Sequence, residues 1–503
     1  MSNERILLAG AVLLLAVVAA VATQRLRLPL LITFLGLGML LGSEGLGGIE
    51  FDDAELARWI GIGGLVLILF EGGLTTKWSD LRPVLAPTLV LSTVGVAVTA
   101  AVAGTAAYFL FDLHFKNALL LGAVVGPTDA AAVFATLRGT KLRQRLASVL
   151  TAESGENDPA AVALTLGLIS WIETAGYGGD DLTLLLVREL GLGLAIGVAL
   201  GFVVRHLPRL PGELAPFAPV ASLGIAAVAY GVPASLHASG FLSVYIVGLF
   251  LGNTPTPLRQ TIVNFHEGLA YLAQVVLFIV LGLLVFPSQL GPVAWSALGL
   301  TTVLVLVARP LAVALSVTPF GYSWREQAFV SWAGLRGAVP IVLATFALSA
   351  GVDGSNTIFN AVFFVVLVSA LLQTVTLDTV ARRLGVASEA APSYHPPVEV
   401  GAVRALGGDI FEYDVEQRDA VVGDRIGELG LPESALVILI VRDGQAIPPR
   451  GSTTLEPGDR VYVLARSDAS EHIEGVIEDW GRRRGEDGSG AQRASEATQE
   501  EAT

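Results

Sequence analysis

No cysteine occurs in the 503 residues, so disulfides and thiolate metal sites are excluded. Charge is scarce too. Asp, Glu, Lys and Arg make up 15% of the chain, against about 25% in an ordinary soluble domain. That shortage excludes a single soluble globular domain. The six histidines show no metal-ligand spacing, and His114, His206 and His237 fall near expected loops. Basic residues are outnumbered 31 to 45, a net charge of −14, so the basic face that nucleic-acid binding needs is missing. No strand precedes the Gly-rich stretch Gly61-Ile62-Gly63-Gly64, which therefore reads as helix packing and not as a nucleotide loop. Thr93-Val94-Gly95-Val96 lacks the Tyr-Gly of a potassium-channel filter and lies inside a continuous apolar span.

What the chain has is apolar length, with 53% hydrophobic residues. A helix needs about 20 apolar residues to cross a bilayer. Thirteen spans are expected on that rule, roughly 5–23, 28–46, 57–74, 84–111, 116–137, 146–170, 183–204, 215–234, 238–252, 267–286, 293–317, 326–350 and 356–381. The first is expected to be a membrane helix and not a cleaved leader. Its flank, Asn3-Glu4-Arg5, is not basic, and further spans follow at once.

The Lys and Arg residues sort by loop. One alternate set carries Arg25, Arg27, Lys77, Arg82, Arg138, Lys141, Arg143, Arg145, Arg205, Arg209, Arg259, Arg325, Arg382 and Arg383. The opposite set has only Arg5, Arg58, Lys116 and Arg188. The positive-inside rule then puts the N-terminus outside and the segment after Arg383 in the cytoplasm.

The acidity sits at the C-terminal end. Up to Leu384 the net charge is −2, and from Gly385 onward it is −12. Four parts follow: a transmembrane domain over 1–384, a Pro- and Ala-rich linker over 385–397, a small α+β domain over 398–480, and a polar, disordered tail over 481–503. Strands are expected over 398–406, 410–415, 435–441 and 460–465, with helices over 468–478 and 423–429. The fold class expected is a polytopic α-helical membrane protein of about 13 helices with a small cytoplasmic α+β domain.

Ionisable residues inside these spans carry the functional signal. An aspartate at the centre of a membrane helix costs about 2.5–3.5 kcal/mol on insertion scales, so such residues mark ion or proton paths. Glu153, Glu156 and Asp158 lie within one short stretch that runs on into an apolar span. Residues four apart share a helix face, which pairs Glu153 with Asn157 and Ser154 with Asp158. Ser154, Asn157 and Asp158 offer oxygen ligands suited to hard cations such as Na⁺ or K⁺, with no transition-metal set. Pro159 has no N–H, which frees the Gly155 carbonyl beside them. The competing reading is a helix end at the membrane surface, with Thr151 or Ser154 as its cap.

Two spans look interrupted. The fifth carries Gly126-Pro127-Thr128-Asp129, and the twelfth carries Gly334-Leu335-Arg336-Gly337-Ala338-Val339-Pro340. Pro127 frees the Ala123 carbonyl and Pro340 frees the Arg336 carbonyl. The two spans are seven helices apart and so run in opposite directions, the pattern of inverted repeats around a transporter site. Arg336 needs a buried counter-charge, and Glu153 is its preferred partner, leaving Asp158 and Asp129 to meet ions. Glu71 is either a second gate or ligand, or an interfacial residue close to Lys77. Arg309, followed by Pro310, receives no role.

Together the motifs Phe70-Glu71-Gly72-Gly73-Leu74, Thr128-Asp129, Glu153-Ser154-x-x-Asn157-Asp158-Pro159 and Gly334-Leu335-Arg336-Gly337-Ala338 resemble those of monovalent cation:proton antiporters of the NhaP/NHE type. The resemblance covers nearly all of 1–384. It implies thirteen helices, a homodimer, two broken helices crossing at the site, and Asp158 as the ion and proton carrier. It places Thr128, Asp129, Ser154 and Glu71 close by and implies a Glu153–Arg336 ion pair. Asn157 in place of an aspartate resembles the electroneutral branch. Residues 398–478 resemble the TrkA-C domain of potassium-conductance regulators, through Gly408-Asp409-Ile410-Phe411-Glu412, Pro432-Glu433-Ser434 and Leu455-Glu456-Pro457-Gly458-Asp459. An antiporter bearing that domain looks most like a bacterial K⁺/H⁺ antiporter of the cell-volume-regulation type.

The function expected is exchange of a monovalent cation at Asp158, K⁺ favoured, for H⁺ across the cytoplasmic membrane. Na⁺/H⁺ exchange is the alternative within transport, and a gated cation channel is the alternative of another class. An intramembrane enzyme has no protease motif behind it. No cofactor is expected. The partners expected are the lipid bilayer, a second copy of the chain, and a small-molecule or ion regulator at the cytoplasmic domain.

Overall fold

The computed structural model describes residues 3–26, 30–137, 142–174, 176–206, 217–254, 256, 258–387, 394–395, 408–417, 419–442, 445–466 and 469–481. The chain divides into two compact units, Met1–Ala387 and Ser388–Thr503.

The first unit is helical. In chain order its helices are α1 Asn3–Leu26, α2 Leu30–Leu41, α3 Ala54–Thr75, α4 Trp78–Leu110, α5 Phe115–Val124, α6 Ala130–Thr136, α7 Gln144–Glu173 and α8 Gly179–His206. They continue with α9 Ala218–Ser235, α10 Gly240–Gly252, α11 Arg259–Leu283, α12 Pro287–Phe320, α13 Trp324–Trp332, α14 Ala338–Ser349 and α15 Ser355–Arg383. Among the described residues, seven helices are long and apolar enough to cross a membrane: α3, α4, α8, α9, α11, α12 and α15. The 30-residue α7 has the length as well, but Glu153, Glu156 and Asp158 lower its hydropathy.

The outward faces of the helices carry exposed apolar side chains such as Leu184, Val187, Phe202 and Val220, the surface that lipid covers. Inside, small residues let backbones touch. A Cβ on Gly73 of α3 would collide with the Tyr245 carbonyl of α10, so only glycine permits that crossing. Each of the two longest helices, α4 and α12, contains one π-helical turn, Leu91–Gly95 in the first and Leu304–Ala308 in the second. Each is followed by an interrupted pair. The chain is non-helical over 125–129 between α5 and α6, and over 333–337 between α13 and α14. The expected 28–46 span is shorter than its apolar run, because α2 gives way to turns from Gly42.

The second unit holds a five-stranded antiparallel sheet in the order β1-β2-β5-β3-β4. The strands are β1 Tyr394–His395, β2 Gly408–Asp414, β3 Ala435–Arg442, β4 Gln445–Ile447 and β5 Arg460–Arg466. In β5 the residues Val461, Val463 and Ala465 are buried and alternate with partly or fully exposed ones. That is the period of a sheet with one covered face. Helix α16, Ser470–Trp480, covers that face with Ile473, Ile477 and Trp480. The helix expected over 423–429 is reduced to one 3₁₀ turn, Ile426–Glu428, in a loop whose Gly423 and Gly430 have positive φ. The strand expected over 398–406, most of the linker and the tail beyond 481 lie outside the described residues.

Candidate functional site

The two interruptions of the helical unit lie against each other. The Asp129 N–H donates to the Leu335 carbonyl at 2.8 Å. Buried Arg336 reaches the other way. Its Nη1 donates to the Gly126 carbonyl, and to the Pro127 carbonyl at 2.8 Å. Those carbonyls lie just past the C-terminal end of α5, where the helix dipole favours a cation. Asp129 is the complement. It caps α6, with Oδ1 accepting from the Ala132 N–H at 3.1 Å. It also lies against Gly337 at the N-terminal end of α14, where the dipole favours an anion. A Cβ on Gly337 would overlap the Asp129 carboxylate. Each break therefore supplies the charge that the other break's helix ends call for. The Ala123 carbonyl, expected to be free, accepts from the Gly126 N–H at 3.1 Å as the last turn of α5 tightens.

Helix α7 runs unbroken through Pro159 beside this crossing. Ser154 Oγ accepts from the Ala130 N–H at 3.3 Å. Asn157 Nδ2 donates to Thr128 Oγ1 at 2.7 Å. Asp158 is 7% exposed, and its Oδ1 has no hydrogen-bond partner among the described residues. Asp158, Asp129, Thr128, Ser154, Glu71 and Tyr245 border one cavity of about 250 Å³. Asn157 is not on its wall but holds Thr128, which is. Glu71 belongs to the cavity wall, and among the described residues no ion pair joins it to Lys77. Carboxylates and hydroxyls dominate the polar wall, a donor set for a hard monovalent cation or a proton.

The ion pair expected between Glu153 and Arg336 does not form. Glu153 pairs with Arg309 and not with Arg336. The contact is two-armed, Nη1–Oε1 at 2.5 Å and Nη2–Oε2 at 2.7 Å, with both side chains buried. Arg309 follows the π turn of α12 and packs on Gly334, where a Cβ would stand 2.7 Å from Nε. Arg336 instead hydrogen-bonds the Gly126 and Pro127 carbonyls at the end of α5. The signal for Arg309 was present: an arginine inside an apolar span needs a partner. Glu156 points elsewhere. Ser92, in the π turn of α4, donates to its Oε2 at 3.1 Å.

Residues 11–383 match the family described as sodium/hydrogen exchanger, transmembrane. The chain belongs to the sodium/hydrogen exchanger family. As a member of that family it is a multi-pass membrane protein and a cation/proton antiporter. Residues 410–476 match the TrkA-C domain. The chain is 38% identical over 481 residues to the K⁺/H⁺ antiporter NhaP2 of Shewanella sp. (strain MR-4), covering 94% of this chain and 83% of that protein. It is 39% identical over 471 residues to the K⁺/H⁺ antiporter NhaP of Alkalimonas amylolytica, covering 92% and 81%. The fold is similar to the solved structure of the sodium proton antiporter MjNhaP1 from Methanocaldococcus jannaschii, with a TM-score of 0.68 at 25% identity. That similarity covers 75% of this chain and 98% of the other.

Proposed function

We propose that Asp158 carries the exchange by holding either a proton or a monovalent cation. Asp129, Thr128, Ser154 and Glu71 supply oxygens around the cation, and Asn157 holds Thr128. The observation that carries this reading is the unpaired Asp158 oxygen beside a polar-walled cavity inside the helical unit. Loss of water favours a neutral carboxylic acid, and a bound cation favours the carboxylate. Each ligand therefore displaces the other, and the cavity presents the loaded site to one side of the membrane at a time.

K⁺ is the favoured cation, with Na⁺ the alternative, because relatives aligned along nearly the whole chain are named K⁺/H⁺ antiporters. One-for-one exchange rests on Asn157, whose neutral amide beside Asp158 leaves no second carboxyl at that position. Thirteen spans follow if α5 with α6, and α13 with α14, count as one each. The π turns of α4 and α12, each ahead of an interrupted pair, support inverted repeats. In this reading residues 1–384 transport, 385–397 link, 398–480 regulate in response to a small molecule or ion, and 481–503 form a tail. The Lys and Arg distribution puts the N-terminus outside and the TrkA-C domain in the cytoplasm of a bacterial cell, at its inner membrane. The working form is a homodimer.

The test is Asp158→Asn in proteoliposomes. Cation-driven proton movement is lost while the melting temperature stays near that of the wild type. Normal exchange by this variant rejects the assignment. The same assay with K⁺ and Na⁺ side by side across pH decides the cation.

A further inference from the structure

Helix α11 carries a row of polar side chains. Gln260, Asn264, Glu267, Tyr271 and Gln274 recur at steps of four and three, so they share one face of the helix. Asn264, Glu267 and Tyr271 are exposed, and Gln260 and Gln274 are half-buried. Gln260 Nε2 donates to Asn264 Oδ1 at 2.7 Å. Helix α11 packs against α3, and Glu267 lies near enough to Glu71 of that helix for the two charges to repel. A polar row that includes a carboxylate is costly to hold against hydrocarbon, so this face meets water. Phe278, the next position of the same row, is fully buried. The row therefore ends at Gln274.

Gln274 is also where α11 meets the cavity of about 250 Å³. Among the described residues that border it, Gln274 brings the one carboxamide, beside carboxylates and hydroxyls. No hydrogen bond among the described residues holds that amide, and neither of its polar atoms is shut off from solvent. Water or an ion can therefore reach it. A carboxylate oxygen has the stronger field and draws the smaller Na⁺ more than K⁺, whereas a neutral carbonyl oxygen suits K⁺. We propose that Gln274 is a specificity-determining residue of the transport site, whose amide oxygen replaces one hydration water of the cation in the cavity and favours K⁺ over Na⁺. The amide adds an oxygen without adding charge, which Asp158, Asp129 and Glu71 cannot do as carboxylates. This inference rests on Asp158 being the ion carrier, and its test keeps Asp158 intact.

The experiment compares Gln274→Met and Gln274→Glu with the wild type, as full-length protein in proteoliposomes. Exchange rate is measured against K⁺ and, separately, Na⁺ concentration, at alkaline pH so that the introduced carboxyl is ionised. Gln274→Met removes the oxygen, and the apparent KM for K⁺ rises about three- to tenfold, the size of one hydrogen bond, with that for Na⁺ within about twofold. Gln274→Glu keeps the shape and adds charge, and the ratio of kcat/KM for K⁺ to that for Na⁺ falls by about threefold or more. No protein hydrogen bond is lost, so both melting temperatures stay near that of the wild type. Should Gln274→Met fold poorly, the isosteric Gln274→Glu carries the test alone. An unchanged ratio, or a KM that shifts by the same factor for both cations, overturns the proposal. Each ratio is read against the wild type's own, whichever cation the wild type prefers. Normal transport by Asp158→Asn would instead reject the ion site itself, so the two failures are distinguishable.

Discussion

Arg309 and Glu153 close a two-armed ion pair at 2.5 and 2.7 Å between α12 and α7, buried on both sides. The pair removes Glu153 from the pool of free carboxylates on α7. It also ties the helix that carries Asp158 to the helix that precedes the second interrupted pair. Its role is architectural, and truncating one partner strands a buried charge.

Arg309→Met should therefore destabilise the protein by about 3–5 kcal/mol. Combining it with Glu153→Gln should restore much of the loss, because both charges are then gone. Thermal unfolding in detergent measures both. An Arg309→Met variant as stable as wild type would contradict the pairing.

At the crossing, Gly337→Ala places a methyl group where the Asp129 carboxylate stands. Either Asp129 gives up its cap on α6 or α14 moves away. In both cases the site is displaced by about 1 Å, a shift that costs on the order of a hundredfold in rate. Exchange assays on purified Gly337→Ala should show that loss, with helix content by circular dichroism unchanged. Exchange at the wild-type rate would mean the contact between the two breaks is dispensable.

Thr128→Val removes the acceptor of the Asn157 amide and leaves that amide unpaired in the interior. A cost of about 1–3 kcal/mol in stability is expected. Asn157→Leu in the same background should recover part of it, because no amide then needs a partner. The check is a double-mutant cycle on melting temperatures, where additive effects would show that the two side chains do not interact.

In the TrkA-C unit, Asp459 is fully buried and meets Arg442 through two contacts of 2.7 Å. Hydrogen bonding to Asp459 raises the affinity of this guanidinium for its proton. Arg442 is a quarter exposed, so solvent weakens the pair. Arg442→Ala should cost about 1–3 kcal/mol. Hydrogen exchange in the full-length protein should speed up over Ala435–Arg442 and Arg460–Arg466 and stay unchanged in α7. Protection equal to the wild type over both strands would refute this.

The carboxylates that border the cavity were legible because carboxylates in apolar spans are costly. Asp158, Asp129 and Glu71 stood out for that reason, Ser154 followed from its spacing to Asp158, and Thr128 came from the family resemblance. The interruptions were marked by Pro127 and Gly337. What the sequence left open was which arginine meets which carboxylate. Arg309 and Arg336 look alike in a hydropathy trace. The carbonyls of Gly126 and Pro127 that hold Arg336 are backbone atoms, invisible in residue identities. Of the strands in the second unit, β2, β3 and β5 were readable, β5 from the two-residue alternation in Val461, Val463 and Ala465, whereas the short β1 and β4 were not expected. The turn at Ile426 was over-read as a helix because its glycines are silent about φ.

The central claim is that a proton and a cation compete for one carboxylate. The direct measurement is the apparent KM for K⁺ in proteoliposomes, taken at a series of pH values with kcat fitted separately. Competition predicts a KM that rises about tenfold for each pH unit of acidification once the site is mostly protonated, while the maximal rate at saturating K⁺ is retained. A KM that stays constant across pH while the maximal rate alone falls would contradict it.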